Sequence, residues 1–120
     1  MDFNDKKIRD ALCKSASRIE LWKQVLDIQQ ARTMLEVGVW KGDFAEQILR
    51  SCGYIERYYM IDPWANLPDW NKPFNVAPEM FDEIYQEAIR KTEFASGKVT
   101  ALRGRTKEVI NNIPDGSLDL

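Results

Sequence analysis

The chain has 120 residues, of which 44% are hydrophobic and 30% charged, a composition typical of one globular domain with a modest core. A formal charge of -2 gives no general attraction to nucleic acid or to an anionic membrane. No apolar run approaches the roughly 18 residues of a membrane span, and we find no signal-peptide core, so we expect a cytoplasmic protein without nucleic-acid or membrane partners. The absence of histidine excludes Ser-His and Cys-His nucleophilic sites and histidine-based metal sites, and we predict no metal centre.

Residues 1–32 are predicted to form an N-terminal helical segment. Between residues 5 and 30, apolar side chains recur at the helical spacings of three, four and seven. These side chains are Ile8, Leu12, Ile19, Trp22 and Leu26. Ser17 and Glu20 have the spacing of a capping box, so we expect a break near residue 17 that divides two helices.

A strand, a glycine turn, a helix and a second strand follow. The apolar run at residues 34–39 predicts a strand that is buried on both faces. Asp43 is predicted to cap the next helix, with Glu46 completing a pair like a capping box. The second strand, residues 57–61, ends in Asp62. This order of elements, closed by an acid, is that of a nucleotide-binding half unit.

The spacing of the glycines indicates which nucleotide is bound. A dinucleotide fingerprint needs G-x-G-x-x-G, because its middle glycine lets the backbone approach a pyrophosphate. After Gly38, Trp40 stands at the second glycine position and Asp43 at the third. An indole would obstruct a pyrophosphate and a carboxylate would repel it, so a cofactor without phosphates suits this turn better. A domain that binds NAD(P) or another nucleotide is the alternative.

Residues 63–74 are predicted to form an ordered loop, because they contain three prolines and alternating aromatic residues. The loop leaves the carboxyl end of a strand, where open α/β sheets bind their ligands. It either forms a wall or lid over a ligand or packs its aromatic side chains onto the domain, and the sequence leaves both interpretations open.

The remaining elements complete an α/β pattern. Pro78 lies in the first turn of a helix that extends to about residue 95, and residues 98–103 form the third strand. Thr106 is predicted to cap a short helix, and residues 117–120 begin a fourth strand. Right-handed crossovers place the strands in the order third, second, first, with the fourth beside the first. We therefore predict a partial Rossmann-like three-layer α/β sandwich as a single domain.

The strand at residues 34–39 would form a largely apolar edge in such a sheet, which stable monomers avoid. We therefore expect that the chain is part of a longer protein or that another chain, such as a second copy in a homo-oligomer, pairs with this edge. A noncatalytic interaction module that pairs through the edge is a further alternative.

The turn also resembles a known motif. Glu36-x-Gly38-x-Trp40-x-Gly42 is similar to motif I of class I S-adenosylmethionine-dependent methyltransferases. The bulky aromatic residue between the glycines resembles small-molecule O-methyltransferases, including the macrocin O-methyltransferase-like group. Residues 99–106 resemble the third strand of that family with its following turn, residues 113–120 resemble the start of its fourth strand, and the resemblance spans residues 33–120.

The resemblance implies that the chain is the cofactor-binding half of a methyltransferase. S-adenosylmethionine would be the methyl donor, S-adenosylhomocysteine the product, and a hydroxyl group of a small-molecule substrate the acceptor. In metal-dependent relatives, the acids that hold the divalent ion come at and beyond the end of the fourth strand. For this reason no catalytic residue is predicted in this chain.

The resemblance also implies a set of cofactor-binding residues. They are Glu36, Gly38, Val39, Trp40, Gly42, Asp62, Pro63, Trp64, Gly104, Arg105 and Thr106. Asp62 would accept hydrogen bonds from both ribose hydroxyls, and Glu36 would help to hold the cationic methionine end. Pro63 and Trp64 would lie beside adenine. Arg105 occupies a position that is often acidic in relatives, so a carboxylate contact to the adenine amine is not expected.

The other implied positions belong to the turn after the first strand and to the turn after the third strand. Gly38 and Gly42 would let the backbone approach the methionine moiety, with Val39 and Trp40 forming the walls. Trp40 is equally compatible with a place in the core. Residues 104–106 would border adenine, although Arg105 and its basic neighbours are also compatible with a solvated edge.

Overall fold

A sheet of three parallel strands organises the computed structural model, which describes residues 2–70 and 75–120. The strands are β1 (Thr33–Val37), β2 (Arg57–Asp62) and β3 (Val99–Arg103), and they lie in the order β1-β2-β3. This is the order that right-handed crossovers require, and it confirms the predicted fold class.

Helices cover the sheet and connect its strands. In the described part of the chain they are α1 (Lys6–Lys14), α2 (Arg18–Gln29), α3 (Asp43–Ser51), α4 (Pro78–Lys91) and α5 (Thr106–Val109), with short 3-10 turns at Glu93–Ala95 and Ile110–Asn112. The predicted break in the N-terminal segment is confirmed: the Ser17 hydroxyl accepts a hydrogen bond from the Glu20 backbone N–H at 3.2 Å and caps α2. None of these helices has both the length and the apolar character that crossing a bilayer requires.

Two predicted helix caps are wrong. Gly42, with φ 85°, is the N-cap of α3, and Asp43 is the first helical residue. The Asp43 carboxylate instead accepts a 2.6 Å hydrogen bond from Lys91 Nζ, although an acid in the first turn still complements the helix dipole. Arg105 likewise precedes α5, with Thr106 as the first helical residue and no side-chain cap. In both turns, the extended or left-handed residue that ends the loop takes the cap position.

The two faces of the sheet are covered unequally. Side chains of α2, α3 and α4 pack on one face with those of β1 and β2. The buried cluster there includes Leu26, Met34, Ala45, Ile48, Tyr58, Met60, Trp64, Ile84 and Ala88. On the other face, Tyr59, Ile61 and Ile113 form a smaller buried cluster. The third layer of the sandwich thus consists, among the described residues, of α5 and the 3-10 turn that follows it.

The last residues lie along the free edge of β1. The Leu120 N–H donates to the Thr33 carbonyl at 3.4 Å, and the Leu120 carbonyl accepts from the Leu35 N–H at 3.0 Å. This is the pattern of a parallel pair. The Asp119 carboxylate also accepts from the backbone N–H groups of Arg32 and Thr33, at 2.8 and 3.0 Å. The chain therefore approaches β1 on the side where a fourth strand was predicted.

Candidate cofactor cleft

The turn after β1 has an unusual backbone. Gly38 and Gly42 both have φ 85°, and Trp40 has φ 57°, a left-handed conformation that side-chain-bearing residues rarely adopt. Gly42 also needs its small size, because a Cβ atom there would lie 2.9 Å from the Cα atom of Ala88 in α4. The turn therefore depends on glycine at position 42 for both backbone conformation and close packing.

Asp62, at the end of β2, places its carboxylate against this turn. Its Oδ2 atom accepts hydrogen bonds from the backbone N–H groups of Val39 and Trp40, both at 2.9 Å. Its Oδ1 atom accepts from the Trp64 N–H at 2.8 Å. Because all three donors are backbone groups, the carboxylate joins the ends of two neighbouring strands and fixes the turn between β1 and α3.

The Trp64 side chain also stabilises this turn. Its side chain is fully buried, and its indole Nε1–H donates to the Trp40 carbonyl at 2.8 Å. The indole packs edge-on against Tyr85 of α4, with ring centroids 4.9 Å apart. Arg103 lies 4.9 Å from the centroid of the Tyr85 ring and donates to the Trp64 carbonyl at 2.7 Å. Trp64 is thus a core residue whose polar atom holds the turn.

A cavity of about 810 Å³ opens at the carboxyl ends of the strands beside this turn. Among the described residues, its lining includes Val37, Gly38, Trp40, Asp62, Pro63, Ala65, Trp70, Phe81, Arg105, Thr106 and Lys107. Six of the eleven predicted site residues therefore line one cavity. Its size and its mainly apolar walls are typical of a small-molecule site.

The other five predicted residues lie outside this lining. Val39, Gly42 and Trp64 are buried behind the turn. Gly104 packs against α5, since a Cβ atom there would lie 2.6 Å from Val109 Cγ1. Val39 still contributes its amide to Asp62, but a direct contact of these residues with a cofactor remains a prediction.

Glu36 lies apart from the large cavity. Its carboxylate accepts a 2.8 Å hydrogen bond from the Tyr58 hydroxyl and borders a second cavity of about 300 Å³ at the free edge of β1. Burial raises the pKa of Glu36 to about 7, against the lowering effects of Tyr58 and the Arg18 guanidinium. Arg18 itself lies 4.5 Å from the centroid of the Phe44 ring. A contact of Glu36 with the methionine end of a cofactor remains a prediction.

Arg105 connects the mouth of the large cavity to the loop after β2. Its guanidinium donates to both carboxylate oxygens of Asp69, at 2.6 and 3.2 Å. This bond with Arg105 holds the pKa of Asp69 below its usual range. Arg103 similarly contacts Asp82 at 2.6 Å, so two members of the predicted basic edge form ion pairs. The sequence analysis did not single out either acid.

The overall structure resembles a solved protein. It is similar to the crystal structure of "a putative caffeoyl-CoA O-methyltransferase from Staphylococcus aureus", with a TM-score of 0.57 and 16% sequence identity. The similarity covers 93% of this chain and 50% of that one. The chain therefore shares the Rossmann-like α/β fold of that protein. The chain thus spans about half the length of this structural neighbour. No protein-family model matches the sequence, and no curated protein matches it either.

This fold also brings into the cavity two aromatic residues that the sequence analysis did not assign to a site. Phe81 is a buried residue of α4 that also lines the cavity and packs edge-on against Trp40, with ring centroids 6.1 Å apart. Trp70 lies in the predicted loop, half exposed, and forms another wall. Residues 71–74 of that loop lie outside the described residues. The composition of the loop predicted aromatic walls such as Trp70. The place of Phe81 in the cavity depends on how α4 packs, which the sequence does not show.

Proposed function

We propose that the chain is the S-adenosylmethionine-binding part of a class I methyltransferase that methylates an oxygen atom of a small molecule. The observation that carries the proposal is the crowded turn beside Asp62: Trp40 lines the cavity at the position where a dinucleotide-binding protein needs its second glycine to approach a pyrophosphate. The similarity to a protein named as an O-methyltransferase supports the same conclusion.

The hydrogen bonds of the turn disfavour a phosphate ligand. The N–H of Gly38 donates to the Ile61 carbonyl at 2.9 Å, and that of Gly42 to the Val39 carbonyl at 3.2 Å. The N–H groups of Val39 and Trp40 donate to Asp62. A pyrophosphate would find these four donors engaged and an indole where the fingerprint needs a glycine, which argues against the NAD(P) alternative.

The residues of the cavity suit a nucleoside that carries no phosphate. The Oδ1 atom of Asp62 accepts one hydrogen bond, from Trp64, and a carboxylate oxygen can accept a second, which we assign to a ribose hydroxyl. Pro63 and Phe81 supply apolar walls for adenine. A cavity of about 810 Å³ is large enough to hold the cofactor and part of an acceptor.

The proposed chemistry needs alignment more than acid–base groups. S-adenosylmethionine supplies a methyl group already activated by its sulfonium. The tasks of this chain are to hold the nucleoside through Asp62, to fix the turn through Trp64, and to exclude water with Trp40 and the other aromatic walls. We assign no general base, because Asp62 is the one acid among the described residues that line the cavity, and its oxygens are already engaged.

Calorimetric titration tests the cofactor. We expect S-adenosylhomocysteine to bind and NADH not to bind. Replacement of Asp62 by Asn should weaken S-adenosylhomocysteine roughly 10- to 100-fold, because a charge-assisted contact is lost. Asp119→Asn makes the same change at an exposed carboxylate that also accepts two backbone N–H bonds and is not among the described lining residues of the cavity, so it serves as the matched control. Tighter binding of NADH would favour the dinucleotide alternative, and binding of neither ligand would contradict both nucleotide proposals.

A transfer assay tests the acceptor. Because this chain is proposed to supply the cofactor-binding part only, we do not expect it to transfer methyl groups by itself. The assay therefore uses the whole proposed enzyme, incubated with methyl-labelled S-adenosylmethionine and two matched sets of aromatic small molecules that carry either hydroxyl or amino groups. The proposal expects label on the hydroxyl set. Label on amines alone would contradict O-methylation while leaving the cofactor assignment intact.

We infer a second candidate function, association through the edge of β1 at Val37, beyond the point where Leu120 pairs with Leu35. Val37 at this edge is 57% exposed although it is apolar, and the sheet face to which it belongs carries little covering structure. Sedimentation velocity across a concentration series tests this proposal. A monomer at all concentrations would contradict it, whereas a dimer that Val37→Lys disrupts would support it.

A further inference from the structure

One side chain outside the cavity holds the backbone of the loop that follows β2. The Oδ1 atom of Asn75 accepts a 3.0 Å hydrogen bond from the Leu67 N–H. Its Nδ2 atom donates to the Leu67 carbonyl at 2.9 Å and to the Trp70 carbonyl at 2.8 Å. The Trp70 N–H also donates to the Leu67 carbonyl, at 2.9 Å, and closes a turn. A single side-chain amide thus bonds to both ends of the turn from Leu67 to Trp70.

Further contacts attach this turn to the rest of the domain. Leu67 is buried, and Val76 packs against the main buried cluster and accepts a 2.9 Å hydrogen bond from the Asn66 side chain. On the other side, the Asp69 carboxylate accepts both hydrogen bonds of the Arg105 guanidinium. The turn is therefore fixed to the core at one side and to the start of α5 at the other.

Trp70 presents an indole from this fixed turn to the large cavity. Its side chain is 52% exposed and lines the cavity. An indole on a well-bonded segment offers a flat apolar surface whose ordering costs little entropy when a ligand binds. Because Asp69 bonds to Arg105, the turn lies on the β3 side of Asp62. In the proposed function the sulfonium end of the nucleoside faces the glycine turn after β1, so its base faces β3 and Trp70.

We propose that Asn75 is a positioning residue, which holds Trp70 so that its indole packs against the base of the bound nucleoside. The inference rests on the proposed function for the identity of that nucleoside. It goes further in giving a role in binding to Asn75, which is not among the described residues that line the cavity.

A double-mutant cycle tests this role through the binding of S-adenosylhomocysteine to the full chain, measured by calorimetry. Trp70→Ala should raise the Kd about tenfold, because a contact between base and indole is lost. Asn75→Ala should raise it about fivefold, because the indole is no longer held in place. The double variant should bind within about twofold of Trp70→Ala alone, since Asn75 acts through Trp70. A merely structural role of Asn75 would multiply the two losses to about fiftyfold, which would overturn the proposal.

Asn66→Ala is the matched control, because it removes a side-chain amide from the same loop that bonds to Val76 instead of the turn. Its Kd should stay within about twofold of the wild type. Asn75→Asp is a second variant, which keeps the acceptor for the Leu67 N–H but loses the donors to the two carbonyls. It should weaken binding at least as much as Asn75→Ala. Equal effects of Asn66→Ala and Asn75→Ala, or wild-type affinity in both Asn75 variants, would contradict the assignment.

Hydrogen exchange at the Leu67 amide provides a readout that needs no ligand. In the wild-type protein this amide should exchange at least about tenfold more slowly than amides exposed to solvent. Asn75→Ala should remove the protection and Asn66→Ala should keep it. Rapid exchange in the wild type would overturn the proposal. Absence of S-adenosylhomocysteine binding to the wild type would contradict the proposed function and the contact with the base, whereas a protected Leu67 amide would still support the positioning of Trp70 by Asn75.

Discussion

Two carboxylates near the carboxyl ends of neighbouring strands are held in contrasting ways. Asp62 of β2 is half-buried and accepts three backbone N–H bonds. Glu36 of β1 is 7% exposed and accepts a side-chain hydrogen bond from the Tyr58 hydroxyl. The backbone donors make Asp62 a fixed charge that shapes the turn. Burial makes Glu36 a group whose charge is costly, so its protonation should respond to pH near neutrality.

Replacement of Asp62 by Ala should give the largest loss of stability. Three hydrogen bonds to a charged group disappear, and we expect the free energy of unfolding to fall by about 4 kcal/mol. Urea denaturation followed by circular dichroism measures this change. Asp119→Ala is the comparison, because this exposed carboxylate also accepts two backbone N–H bonds and should cost much less. If Asp62→Ala lowered the free energy of unfolding no more than Asp119→Ala, the hydrogen bonds of Asp62 to the turn would not contribute to stability as proposed.

The turn around Asp62 can also be broken without changing any charge. Gly42→Ala should cost about 3 kcal/mol, because it combines a left-handed backbone with a collision against Ala88. Gly38→Ala is its matched control: the φ value is the same, 85°, but a Cβ atom there meets nothing within 4 Å. That variant should cost only about 1 kcal/mol of strain. Equal losses in the two variants would show that the packing on α4 is unimportant.

The titration of Glu36 should make the stability of the folded protein depend on pH. Glu36 has a pKa of about 7 in the folded protein against an ordinary value of 4.5. The folded state therefore holds this proton more tightly than the unfolded state. Its contribution to stability is complete below pH 4.5 and is lost as the pH rises through 7.

Glu36→Gln should remove this dependence. Relative to the wild type, the variant should gain on the order of 2–3 kcal/mol between pH 4 and pH 8, allowing for relaxation around the charged form. Thermal and urea unfolding at several pH values measures the difference. A wild-type protein and a variant with parallel pH profiles would show that the carboxylate titrates at its ordinary value.

The smallest expected effect comes from removing the hydrogen-bond donor of Glu36. Tyr58→Phe removes the hydroxyl that donates to Glu36 and should cost about 1 kcal/mol at pH 8, where the carboxylate is charged. The loss should be smaller at pH 4, where a protonated carboxyl group needs the donor less. A loss that does not depend on pH would indicate that the phenol contributes through packing alone.

The sequence predicted the framework of this site better than its contacts. The strand order, and the position of Asp62 beside the turn, follow from hydrophobic patterns and crossover handedness. Spacing could not show that the carboxylate faces backbone amides, because that depends on the left-handed residues of the turn. The pairs Glu36–Tyr58 and Asp69–Arg105 join residues 22 and 36 positions apart, and local patterns carry no information on such contacts.

Trp64 shows a similar limit. Its position after Asp62 suggested a contact with adenine. In the structure the Trp64 side chain is buried in the core, and its indole N–H donates to the Trp40 carbonyl. The sequence cannot distinguish an aromatic residue that faces a ligand from one that lies behind the wall, since both need an apolar surrounding. The structure resolves the question through burial and the indole hydrogen bond.

The two supports of the turn also restrict how the chain length can vary. Asp62 holds the N–H of Trp40 and Trp64 holds its carbonyl, so both ends of one residue are fixed by side chains two positions apart. An inserted or deleted residue between them would break one support or the other. Length variation among homologous sequences should therefore begin after position 64, and the three-residue interval from Asp62 to Trp64 should remain constant.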